Sequence, residues 1–170
     1  ELYAGEGSHC IWYESGASAA WSGVQLVELG KGGLFDAADL EAGIKARAYW
    51  CPNPKLCVVE NTHNRAGGKI FPVQAVAGIA EAARKHQLGL HLDGARLWNA
   101  AAATGLPEAE LAAPFDTVSV SFAKGLGAPV GSALLGSRAI IERAHRYRKM
   151  LGGGMRQVGI IAAGALYGLE

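Results

Sequence analysis

The chain has 170 residues, half of them hydrophobic and 18% charged, with a formal net charge of +1. That length carries one domain with a sizeable core, and the near-neutral balance argues against a nucleic-acid or membrane-surface partner. No apolar run reaches the roughly 18 residues of a membrane helix, no signal peptide is visible, and Cys10, Cys51 and Cys57 lack metal-ligand spacing, which points to a reducing, cytoplasmic setting without a metal site.

In chain order, Glu1 to Ser8 is polar and glycine-rich and reads as a loop. His9 precedes a short apolar strand, Cys10 to Tyr13. Glu14 follows at a strand-to-helix junction, as a helix-dipole partner or a polar group near a substrate. Small residues from Ser15 to Gly23 predict a tightly packed helix, and Val24 to Leu29 a strand. Gly30-Lys31-Gly32-Gly33 is a turn, and no Gly-Lys-Ser/Thr ending makes it a phosphate loop. The spacing of Leu40, Ile44 and Ala48 predicts a helix over 36–48 with Asp36 as its N-cap. Tyr49 to Pro54 is irregular. Lys55 to Glu60 is a buried strand ending in Asn61-Thr62-His63-Asn64 and a Gly-Gly turn. Thr62 and His63 there are either ligand contacts or members of an Asx-turn cluster. A helix over 72–87, with Pro72 near its start, leads to the apolar run Leu88 to Leu92. Leu97 to Thr104 is helical, 105–114 connects with a short helical turn, and Phe115 to Ser121 is a strand.

Two strand ends carry the chemistry. The run Thr117-Val118-Ser119-Val120 leads to Lys124, in the glycine turn Gly125-Leu126-Gly127-Ala128-Pro129, before a second strand at Val130 to Leu135. A lysine at the mouth of an α/β sheet can condense with an aldehyde, which is how pyridoxal phosphate enzymes hold their cofactor. A surface hairpin with a solvated lysine has the same local pattern. About thirty residues upstream, LGLHLDGARLWNA ends an apolar run in Asp93. An aspartate at the carboxyl end of a parallel strand points into the ligand crevice. There it keeps a pyridine nitrogen protonated, caps a helix starting near Ala95, or does both. The two strand ends, one β-unit apart, are more specific than either residue alone.

ENTHN, HLDGAR, KGLGAPVGS and RKMLGGGMRQ, in this order along the chain, resemble the threonine aldolases, pyridoxal phosphate enzymes of the β-eliminating lyase group. The resemblance covers essentially the whole chain. It implies a three-layer αβα fold with a mostly parallel sheet, the fold type I large domain of the aspartate-aminotransferase kind, over 1–170. Val130 to Leu135 is then antiparallel, because too few residues precede it for a crossover. By the same resemblance, Lys124 holds the cofactor, Asp93 meets its ring nitrogen and His9 stacks on its ring. Thr62 and Ser121 contact it, and Arg96, with His63, binds substrate. Arg96 is there to grip the α-carboxylate, for which a guanidinium fork is suited; an intraprotein ion pair is its other reading. Arg156 of GGGMRQ reaches the cofactor phosphate of a neighbouring subunit, which implies a homodimer or homotetramer. Trp50 stands where many threonine aldolases carry a histidine that helps handle the substrate hydroxyl.

The reaction implied is retro-aldol cleavage of a β-hydroxy-α-amino acid to glycine and an aldehyde. Another pyridoxal phosphate reaction on the same scaffold, lyase or racemase, is an alternative. So is a non-catalytic fragment, because the chain starts without methionine and stops inside the apolar helix 158–169. An earlier phosphate-gripping segment and a C-terminal small domain are expected of the family. The basic helix over 137–150 reads as a solvated face rather than a nucleic-acid surface.

Overall fold

A computed structural model describes residues 1–170. Its sheet has six strands: β1 (Leu2–Gly5), β2 (Leu26–Leu29), β3 (Leu56–Glu60), β4 (Gly89–Gly94), β5 (Thr117–Ser121) and β6 (Ser132–Gly136). The order is β2-β1-β3-β4-β5-β6. All pairings are parallel except β5 with β6. The expected antiparallel edge is therefore present, and its cause is loop length: only residues 122–131 separate β5 from β6, too few for a crossover helix.

Helices α3 (Ala37–Gly43), α4 (Val73–Lys85) and α5 (Leu97–Thr104) bring apolar residues to one face of the sheet. Strand alternation sends Tyr3, Cys57, Val59, Leu90, Leu92, Val118 and Val120 to that same face. Together they form a core of 18 buried residues. The opposite face is covered near β1 and β3 by Leu2, Ala4 and Val58, packed under Cys10 and Ile11 of α1 (His9–Trp12). The remaining helices are α2 (Ala17–Ser22), α6 (Glu108–Ala112), α7 (Arg138–Met150) and α8 (Gly159–Leu169). No helix is long and apolar enough to cross a membrane.

Three local expectations are corrected. The loop over 1–8 contains β1, whose four residues are all buried. Its context is tertiary, since it pairs on both sides and the fully buried Tyr3 donates its hydroxyl to Glu1 Oε2 at 2.8 Å. The strand after His9 is instead the single helical turn α1. With β2 and β3 on either side, β1 offers no edge to a further strand. Helix α3 keeps its capping box, Asp36 with Asp39, but ends at Gly43 rather than Ala48. A Cβ at Gly43 would lie 2.6 Å from Leu29 Cδ2, and the next residue, Ile44, turns extended.

Candidate active site

A cleft of about 290 Å³ opens at the carboxyl ends of β3, β4 and β5. This is where a parallel sheet collects ligand contacts. Register builds its floor: Glu60 pairs with Asp93, and Asp93 with Ser119, so three polar side chains form one row across three strands. His9, Thr62, Arg96, Ser121 and Lys124 complete the polar wall, and only two of the 13 lining residues are hydrophobic.

Lys124 rides on the β5–β6 loop. Ala128 N–H donates to the Phe122 carbonyl at 3.0 Å and Gly127 N–H to the Lys124 carbonyl at 3.0 Å. Gly125 docks this loop on α5, since a Cβ there would meet Asn99 Oδ1 at 2.7 Å. Gly127 closes the turn at φ +68°, a conformation open chiefly to glycine. The Lys124 amine makes no ion pair.

Asp93 Oδ1 accepts the Ala95 N–H at 3.2 Å. It therefore holds the turn after β4 rather than capping α5, which begins later, at Leu97, with Arg96 in the cap position. The other Asp93 oxygen takes no hydrogen bond from the chain. Arg96 also forms no ion pair, so the intraprotein reading of its guanidinium does not hold.

His9 stands at the start of α1, with Nδ1 2.8 Å from Glu14 Oε1. Both line the cleft, which gives Glu14 a place beside it. Cys10 senses the negative charge gathered here. Burial pushes its thiol up to about 12, and the carboxylates of Asp93, Glu60 and Glu14 add to the rise.

The donor set fits a pyridoxal phosphate. It offers a free amine, a carboxylate with one uncommitted oxygen, a free guanidinium and the hydroxyls of Thr62, Ser121 and Ser132 around one cleft.

Three residues singled out from the sequence do not line the cleft. His63 is 1% exposed and does not line the cleft. Its Nδ1 accepts the Ala66 N–H at 3.2 Å, its Nε2 lies 3.5 Å from Ser8 Oγ, and Gly33 packs against the ring. The imidazole thus links the loops of Ser8 and Ala66. Trp50 is 73% exposed, lies in the segment before β3 and does not line the cleft. Arg156 is exposed and lies outside the cleft of its own chain. Glu60 was not singled out from sequence, where it reads as the end of an apolar strand. Its signal is a charge on a residue that the β3 pattern buries.

A family model described as "Beta-eliminating lyase" matches residues 1–170. The chain is 40% identical over 174 residues to low-specificity L-threonine aldolase 1 of Arabidopsis thaliana, covering 100% of this chain and 49% of that protein. It is 38% identical over 172 residues to the low specificity L-threonine aldolase of Escherichia coli O157:H7, covering 100% and 51%. The chain therefore spans about half the length of these relatives. The fold matches a Leishmania major threonine aldolase structure with a TM-score of 0.82 at 24% identity, over 99% of this chain and 49% of that one.

Proposed function

The chain belongs to the β-eliminating lyase family, and on that premise we propose that it is the pyridoxal phosphate-binding large domain of an aldehyde-lyase. The reaction is cleavage of a β-hydroxy-α-amino acid, of the threonine or allo-threonine type, to glycine and an aldehyde. The observation that carries this reading is the convergence of Lys124, Asp93 and Arg96, none of them in an ion pair, on one cleft.

Bound there, pyridoxal phosphate supplies the electron sink for the pair left on Cα when the Cα–Cβ bond breaks. Lys124 would hold the cofactor through its amine, and Asp93 would meet its ring nitrogen with the uncommitted oxygen. His9 would cover the ring, and Thr62 and Ser121 would donate hydroxyls. Arg96 takes the substrate α-carboxylate in two-point contact and so orients the scissile bond. The β-hydroxyl proton passes to the open Nε2 of His9, whose Nδ1 is held by Glu14. Release of the aldehyde and return of a proton to Cα leave glycine. In a homodimer or homotetramer, Arg156 serves the phosphate of a partner's cleft. Cys10, Cys51 and Cys57 are all free thiols, which suits the reducing cytoplasm.

Incubation with threonine, allo-threonine and phenylserine tests the reaction. Equal amounts of glycine and aldehyde are expected. An α-keto acid, or the opposite enantiomer, would place a different lyase or a racemase on this scaffold.

A further inference from the structure

We infer that Glu60 is a positioning residue of this cleft, a carboxylate clamp that fixes the main chain of His9 and of the loop carrying Thr62. The inference deepens the reading of the cleft as a cofactor site and rests on it.

Glu60 is 5% exposed, yet it pairs with no lysine, arginine or histidine. A buried carboxylate without a cation needs other donors to offset its lost hydration. It finds two, one for each oxygen. His9 N–H donates to Oε2 at 2.6 Å, and Asn64 N–H donates to Oε1 at 2.9 Å. The first donor is 51 residues away in sequence and the second four. One side chain at the end of β3 thus joins the turn that starts α1 to the loop holding Thr62 and Asn64.

The other side-chain link between the two segments is longer, Ser8 Oγ to His63 Nε2 at 3.5 Å. The Ser8 side chain caps no N–H of α1, and its hydroxyl donates back to the Gly5 carbonyl at 2.7 Å. His9 is therefore held at two points by two carboxylates, at its backbone by Glu60 and at its ring by Glu14. Such double restraint keeps a flat ring over a ligand, where small displacements cost activity. The span also selects the residue type. Aspartate lacks one methylene of reach, and glutamine offers one acceptor oxygen while turning an NH₂ toward the other donor.

Glu60→Gln tests the clamp in two ways. In the cofactor-free protein, amide hydrogen exchange at His9 or Asn64 should accelerate about tenfold, the weight of one charge-assisted bond. Amides in β4 and α4 should be unchanged. If neither amide accelerates beyond those reference sites, there is no clamp, whatever the cofactor does. In the second test, Glu60→Gln should weaken pyridoxal phosphate binding about tenfold in the wild-type background. In a His9→Ala background it should weaken binding less, by about threefold, because no imidazole remains to misplace and only the loop carrying Thr62 is released. Equal weakening in both backgrounds would reduce Glu60 to a general stabiliser and overturn the positioning role. Absence of any cofactor binding by the wild type would defeat the proposed function instead, and the exchange result would still decide the clamp. Should Glu60→Gln not fold, Glu60→Asp keeps the charge, loses the reach and is read by the same exchange measurement.

Discussion

The two faces of the sheet do opposite jobs with alternate residues of the same strands. On β4, Leu90 and Leu92 enter the 18-residue core, while His91 and Asp93 between them face the side that carries the cleft. On β5, Val118 and Val120 are core, while Thr117, Ser119 and Ser121 are not. The cleft face buries only Leu2, Ala4 and Val58 as a cluster, at the β1–β3 end. Stability is thus concentrated on one face, which leaves the other free to carry charge. A one-residue slip of β4 would exchange the two roles at once.

Leu92→Ala sharpens this division most strongly. Leu92 is 1% exposed, so its truncation should cost about 2–5 kcal/mol in urea unfolding. Ser119→Ala, on the opposite face of the neighbouring strand, should stay within about 0.5 kcal/mol. Similar losses at both sites would break the contrast.

Asp93→Asn is the converse experiment. The amide oxygen can still accept the Ala95 N–H, so the unfolding midpoint should hold. Aldehyde release should nonetheless fall about 100-fold or more, the usual scale for losing a preorganised charge in an active site. A large drop in stability with little change in rate would reassign Asp93 to the turn alone.

A smaller effect is expected of Arg96→Lys. The ammonium keeps the charge and loses the fork, so KM for the amino acid should rise about tenfold. An unchanged KM would remove Arg96 from carboxylate binding.

The smallest effect belongs to His91, one row below Asp93. Burial lowers its pKa below the ordinary 6.5, with Asp93 and the Thr117 hydrogen bond opposing in part. The unfolded chain then binds the extra proton first, so this residue makes stability decline as pH falls through about 6.5, with no effect well above it. Urea midpoints at pH 7 and pH 5 should differ less in His91→Gln than in the wild type. An equal difference would mean that the proton is taken up elsewhere.

What the sequence made legible follows the same geometry. Lys124, Asp93 and Arg96 sit where apolar runs give way to glycine turns, and such strand ends are visible in one dimension. The antiparallel β6 was likewise set by a short connection. The misreadings are residues whose role depends on distant partners. Strand β1 is four residues long and owes its existence to β2 and β3. His63 neighbours Thr62 in sequence yet spends its ring on Ser8 and Ala66. Glu60 takes its meaning from a backbone N–H 51 residues away, which no local pattern announces.

The most direct test of the cleft as a cofactor site is an absorbance scan of the purified protein after pyridoxal phosphate is added and the excess removed. A band near the visible edge is expected. It should be lost on borohydride reduction, with the reduced label mapping to Lys124, and it should be absent from Lys124→Ala at an unchanged unfolding midpoint. No band in the wild type, a label on another lysine, or a full band in Lys124→Ala would contradict the assignment of this cleft.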